Sequence, residues 1–321
     1  MNSAPATQAV QTEDRFRHEA LFYRGEEQFV TEAGAFLGDG IEAGEPMLVV
    51  VSSRKIDLLR KRLGPDADKV QFADMQDVGL NPARIIPAWS EFVHEHGDRP
   101  LRGIGEPIWA ERSADELVEC QRHESLLNVA FAGSADFTLL CPYDTIALGP
   151  EVLGEATHSH PFVRDEGTSS TSREYLGLDE LSKPFAAPLS GPPASSVDLV
   201  FQEGSLGGLR KHVAREASHA GLLDPQSADA ATAVNEIASN SLRHAGGWGV
   251  LRMWRTDDAF VCEVSDDGRL EDPLVGRIHP DTDGHAGRGL WIVNQLCDLV
   301  QVRSGATGTT VRMHFRQPRQ A

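Results

Sequence analysis

The first half of the chain alternates short apolar runs with longer amphipathic ones. Ala20–Tyr23, Met47–Val51, Val70–Ala73, Leu101–Ile104 and Phe137–Cys141 read as strands. Glu27–Ala43, Lys55–Leu63, Pro82–His96 and Ala114–Ala132 read as the helices between them. Strands separated by helices imply βαβ units and a mainly parallel sheet, hence an α/β domain. Met47–Val51 is apolar throughout, as a strand covered on both faces should be. From Arg164 to Ser196 the periodicity is lost and Ser, Pro and Gly dominate, so this stretch reads as a linker. Periodicity then returns. Val197–Phe201 reads as an edge strand, Ser205–Ala220 as a helix ended by Gly221, and Ala228–Ala245 as a second, Ala-rich helix. Gly249–Arg255 and Phe260–Ser265 alternate around a turn, Leu290–Leu296 is an apolar helix, and Val311, Met313 and Phe315 alternate in a last strand.

The Ala-rich helix carries two stripes. Ala231, Val234, Ala238, Leu242 and Ala245 recur at helical spacing and should pack. Glu236, Asn240 and His244 recur every four residues on another side. A carboxylate one turn before a carboxamide suits a site for a hard cation and phosphate, with the amide oxygen as ligand and the carboxylate able to deprotonate a hydroxyl. A solvated helix face would give the same pattern. Three glycine-containing segments further along the chain add weight to the site. Asp266-Asp267-Gly268 closes a strand, Gly287-Arg288-Gly289 opens a helix, and Gly308-Thr309-Thr310 opens the last strand. Amides at a helix N-terminus attract phosphate, and Arg288 would add charge. In the first half, Ser52, Ser53, Asp74, Glu106 and the pair Pro142-Tyr143 follow strand ends, where open parallel sheets bind ligands. No G-x-x-x-x-G-K-[ST] loop accompanies them.

Composition narrows the reading. The 321 residues suffice for two cored domains, and no apolar run is long enough to span a membrane. Residues 1–15 have no signal-peptide pattern and read as a short disordered tail, so a cytoplasmic location is expected. From residue 200 onward 13 Lys and Arg stand against 15 Asp and Glu, so nearly all of the net charge of −18 belongs to the first 199 residues. Such acidity argues against direct contact with nucleic acid. Cys120, Cys141, Cys262 and Cys297 are far apart, and His158, His160, His279 and His285 lack partners at ligand spacing. Four reduced thiols are therefore expected, with neither a disulfide framework nor a structural metal.

The four pieces from Glu236 to Thr310 resemble, in order and spacing, the ATP-binding fold of gyrase, heat-shock ATPases and sensor histidine kinases. More narrowly, they resemble the serine kinases that act as bacterial anti-sigma factors. The resemblance covers residues 197–317 and implies an α+β GHKL-type (Bergerat) ATP-binding sandwich. It implies that Asn240 holds Mg²⁺ on ATP and that Glu236 is the catalytic base. Asp266 and Thr310 would meet adenine, with Gly268 giving the base close passage. Gly287, Arg288 and Gly289 would hold the phosphates, and Glu271–Ala286 would be a mobile lid. The chain departs from the family at Leu270, where a second Gly is common.

The segments His18–Tyr23, Gly105–Trp109, Glu119–Asn128 and Leu140–Thr145 resemble the MEDS sensory domain over residues 16–163. That implies an α/β input domain for small, hydrocarbon-like molecules but assigns it no binding residues; as polar or aromatic residues of this half, His18, Glu106, Trp109, His123 and Glu124 are the sensor candidates. For His123 and Glu124 a structural role on a helix is the competing reading, and for Trp109 a place in the core.

Together these resemblances imply a sensor-gated, ATP-dependent serine/threonine kinase. It would phosphorylate an anti-sigma factor antagonist, switch partners between that antagonist and a sigma factor, and form a homodimer through the ATP domain. The alternative is a nucleotide-regulated binding protein without catalysis. A histidine kinase output domain is disfavoured, because His212 lies inside the ATP domain and no phosphoacceptor hairpin precedes it.

Overall fold

A computed structural model of the chain describes residues 16–133, 136–178, 187–280 and 287–317. The expected tail, residues 179–186 of the expected linker, and residues 281–286 of the expected lid lie outside the described residues.

The first unit runs β1 (Phe16–Tyr23), α1 (Gly25–Ala43), β2 (Met47–Val51), α2 (Ser53–Leu63), β3 (Gln71–Asp74), α3 (Met75–Val78), α4 (Ile85–His96), β4 (Leu101–Gly105), α5 (Ala114–Ala130), β5 (Phe137–Asp144), α6 (Pro150–Ser159), β6 (Phe162–Asp165) and β7 (Thr168–Thr171). Its seven strands are ordered β3-β2-β4-β5-β1-β6-β7, parallel except for the β6–β7 hairpin. Apolar residues cover both faces, which is why the strands read as unbroken apolar runs. Leu21, Tyr23, Val49, Val51 and Leu140 pack with Phe29, Phe36 and Leu59 of α1 and α2. Ala20, Val50, Leu139, Cys141 and Tyr143 pack with Trp89, Leu126 and Leu127 of α4 and α5.

The sheet extends further than the apolar pattern implies. Residues 164–171 fall in the stretch that reads as linker, yet they complete β6 and form β7. Beyond Val163 these strands are polar and half-buried or exposed near the sheet margin, so no apolar alternation announces them. The described rest of the linker is also tied down: Arg303 Nε donates to Ala187 O, and Arg312 donates to Ser190 O.

The second unit runs β8 (Val197–Gln202), α7 (Leu206–His219), α8 (Asp224–His244), β9 (Trp248–Arg255), β10 (Ala259–Asp266), α9 (Arg288–Leu296), β11 (Leu299–Gly305) and β12 (Gly308–Arg316). The sheet is antiparallel, ordered β11-β12-β10-β9-β8. One face buries Leu251, Phe260, Cys262, Val264, Val311, Met313 and Phe315 against Val213, Val234, Ala238 and Val293 of the helices. The other carries Arg252, Glu263 and Arg312, joined as ion pairs. This is an α+β sandwich, and the first unit is an α/β domain.

The two units touch directly. Asn81 Nδ2 and Arg84 Nε donate to Asn294 O at 3.0 and 2.9 Å, and Arg84 Nη2 donates to Cys297 O at 2.8 Å. These groups satisfy carbonyls that the end of α9 leaves open. From α5, buried Glu119 pairs with Arg303 at 2.7 Å and with Arg277 at 3.5 Å, and Arg122 Nη1 donates to Val302 O at 2.8 Å. Leu274 packs on the first domain's core. The described part of the expected lid is therefore docked, with Arg277 buried beside Glu119.

Candidate functional site

The helix α8 forms because its Ala residues favour helix and its apolar stripe is buried: Ala231, Val234, Ala238 and Ala245 all lie inside. Glu236 and Asn240 are half-buried one turn apart, whereas His244 is exposed and leaves the stripe. The Gly287-Arg288-Gly289 segment comes up against this face. Gly287 caps α9 with φ +79°, a conformation that favours glycine. A Cβ on Gly289 would stand 3.0 Å from Asn240 Nδ2 and 3.2 Å from Glu236 Oε2. Arg288 is exposed beside them. The first backbone hydrogen bond into α9 runs from Trp291 N to Gly287 O, so the amides of the first turn have no partner within the helix. That is an anion-binding arrangement.

Asp266 lies at the end of β10, one turn along the same helix. Its Oδ2 accepts from Ser241 Oγ and its Oδ1 accepts from Gly268 N at 2.8 Å, which fixes the carboxylate while each oxygen keeps a free lone pair. Gly268 is needed because a Cβ there would stand 2.7 Å from Ala245 Cβ.

Thr310 is not with this group. Opposed residues of an antiparallel pair share a face. Thr309 stands opposite Asp266 and Thr310 opposite Ser265. Thr309 Oγ1 donates to Gly268 O at 2.8 Å, while Thr310 Oγ1 meets Ser265 Oγ at 3.2 Å on the polar face. Two adjacent threonines look alike in sequence, and only strand pleat separates them. Leu270, at the position where a second Gly is common, is 37% exposed and donates its N–H to Ser304 Oγ at 2.8 Å. It lines a cavity of about 390 Å³ between α5 and the second domain. His212 sits on the surface of α7 beside Arg215 and Glu216.

The four expected sensor residues fall in separate places. Glu106 is buried at the end of β4, where Lys55 Nζ contacts both its oxygens (2.5 and 2.6 Å) and Tyr23 Oη donates at 2.7 Å. Burial pushes its pKa up against the pull of Lys55. Ser53 N donates to Asp74 Oδ2 at 3.2 Å across two neighbouring strand ends, whereas Pro142 and Tyr143 lie inside β5, with Tyr143 in the core, and not beyond its end. Trp109 is half-buried under the Arg112 guanidinium, 3.8 Å from its ring. His123 is buried on α5, and burial lowers its pKa to about 3. His18 belongs to another cluster, with Glu124, Cys141 and His160. Sequence spacing missed that cluster, because its members come from β1, α5, β5 and the residue after α6.

Residues 17–161 match the family described as MEDS, the methanogen/methylotroph DcmR sensory domain. Residues 201–315 match the histidine kinase-like ATPase domain. A search of curated proteins finds no match. Among solved structures, the RsbU and RsbW domains of Rv1364c from Mycobacterium tuberculosis are similar at 19% identity and a TM-score of 0.31, over 40% of this chain and 34% of that one. A superposition that loose does not align side chains. Among the described residues, no helix is long and apolar enough to cross a membrane.

Proposed function

For a chain that joins a MEDS domain to a histidine kinase-like ATPase domain, we propose the function of an ATP-dependent protein serine/threonine kinase that acts as an anti-sigma factor. Its substrate is the serine or threonine of an antagonist protein, and its partners are that antagonist and a sigma factor. The observation that carries this reading is the approach of Gly289 to Asn240 and Glu236, because it brings the N-terminus of α9 against a carboxamide and a carboxylate one turn apart on α8. Those donors fit a magnesium-bound polyphosphate. Mg·ATP supplies the phosphoryl group when bound. Asn240 holds the ion, the first turn of α9 and Arg288 hold phosphate oxygens, and Asp266, fixed by Ser241 and Gly268, accepts from the adenine amino group. Glu236 takes the proton of the attacking hydroxyl. Phosphoryl transfer asks mainly for positioning and charge neutralisation, and this set supplies both.

The interdomain contacts support direct gating by the first domain, because α5 and Arg84 hold the segments on either side of the Gly287–Gly289 turn. A homodimer through the ATP domain completes the proposal.

The test has two steps. Calorimetric titration of Mg·ATP into the full chain should show saturable binding that Asn240→Ala abolishes and Glu236→Gln keeps. Radiolabelled ATP with an antagonist protein should then give acid-stable phosphoserine or phosphothreonine with wild type and none with Glu236→Gln. Binding without any transfer would instead identify a nucleotide-regulated binding protein, and an acid-labile phosphohistidine would overturn the serine/threonine assignment.

A further inference from the structure

His18, Glu124, Cys141 and His160 meet in the interior of the first domain, each at most 1% exposed. Their nearest donor atoms all lie within 4.8 Å of one another. Two of the side chains have their tautomers fixed from behind. His160 Nδ1 lies 2.8 Å from Ala156 O, a pure acceptor, so Nδ1 carries a proton. His18 Nδ1 lies 3.1 Å from Asn128 Oδ1, and Asn128 is oriented by its Nδ2 donating to Ser159 O at 2.8 Å. His18 Nδ1 therefore carries a proton too. Both Nε2 atoms then turn lone pairs toward Glu124 Oε2, at 3.1 Å from His18 and 3.4 Å from His160, with Cys141 Sγ 3.3 Å from His18 Nε2.

Lone pairs facing a buried carboxylate are unfavourable without a positive charge between them. Glu124 Oε1 and His160 Nε2 have no hydrogen-bond partner. Two imidazolium rings could supply that charge, but their centroids would be 4.0 Å apart in a fully buried site.

We propose that His18, Glu124, Cys141 and His160 bind one divalent first-row transition-metal ion, through two imidazole nitrogens, a carboxylate oxygen and a thiolate. A tetrahedral ion with bonds of about 2.0–2.3 Å spaces its ligand atoms roughly 3.3–3.8 Å apart; three of the pairs here stand at 3.1–3.4 Å, and all lie within 4.8 Å. Carboxylate and thiolate together neutralise a divalent charge, so the loaded site is buried without net charge. The Cys141 proton leaves to solvent on binding. Asn128 and the Ala156 carbonyl act as the outer partners that orient such histidines. Glu124 shares α5 with Glu119 and Arg122, so the helix that holds the ion also holds the second domain. This proposal stands independently of the nucleotide site.

The test uses the full chain, stripped by chelator and titrated with Co²⁺ as probe. One ion per chain is expected, with the intense visible bands of tetrahedral cobalt and a thiolate charge-transfer band. Cys141→Ser should remove the charge-transfer band, Cys262→Ser should leave the spectrum unchanged, and His160→Gln should weaken binding at least tenfold. Circular dichroism checks that each variant is folded. If a variant fails to fold, wild type alone decides: Zn²⁺ should displace Co²⁺ and raise the melting temperature. No saturable uptake by wild type, or a charge-transfer band that survives Cys141→Ser, would overturn the assignment.

Discussion

Replacing Gly289 by Ala separates the nucleotide site from the stability of the fold. The backbone at 289 is helical and does not have a positive φ, so Ala is conformationally acceptable there. Helix propensity even favours it by up to about 1 kcal/mol. The atoms the new methyl would meet, Asn240 Nδ2 at 3.0 Å and Glu236 Oε2 at 3.2 Å, are ends of side chains that can swing away. Stability should therefore stay within about 1 kcal/mol of wild type. Binding should not, because a methyl there pushes the Asn240 carboxamide and the Glu236 carboxylate out of the positions in which they face α9. Losing one or two hydrogen bonds to a charged group costs about 1.5–3 kcal/mol, or about tenfold to a hundredfold in Kd. Calorimetry with Mg·ATP, beside a thermal melt of the same sample, reads both quantities. An unchanged Kd would refute the idea that the contact of Gly289 with Asn240 and Glu236 shapes the nucleotide site. A weakened Kd with an equally large loss of stability would refute the claim that the effect is local.

Thr309→Val should weaken ATP binding by about tenfold, because it frees the Gly268 carbonyl, whereas Thr310→Val on the opposite face should change it less than about twofold; equal effects would refute the facing derived from register. Gly276→Ala should destabilise by about 2 kcal/mol or more in denaturant titration, since φ is +75° and the Cβ would meet Leu290 Cγ at 2.7 Å and its backbone at 2.9 Å. Glu119→Gln removes the carboxylate that holds Arg277 and Arg303, and breaking such a buried pair costs about 3–5 kcal/mol; hydrogen exchange should quicken in residues 271–278. Burial holds the His314 pKa down to about 4, with Asp115 opposing. The folded value lies below the unfolded value of about 6.5, so the native state binds fewer protons and stability falls as pH drops from about 6.5 toward 4. That loss is at most about 3 kcal/mol, and His314→Asn should flatten the slope of unfolding free energy across this window.

Both architectures are legible in the chain alone, because each rests on local pattern. Met47–Val51 is apolar because it is covered on both faces, and α8 declares its buried stripe through Ala231, Val234 and Ala238. The order Glu236, Asn240, Asp266, Gly289 is equally legible, since each residue sits at an element end or on a helix stripe where type and spacing carry meaning. Polar strands are not. Thr168–Thr171 pairs only at the sheet margin, where no apolar face is needed. Folding alone settles whatever depends on the side to which a chain turns. Strand pleat gives Thr309, not Thr310, to Asp266. Packing of α5 against β1 and β5 gathers His18, Glu124, Cys141 and His160 from positions too far apart for any spacing rule to connect. The docking of Arg277 and Leu274 on the first domain is of the same kind: complementary charge and apolar surface meet only after both domains have folded.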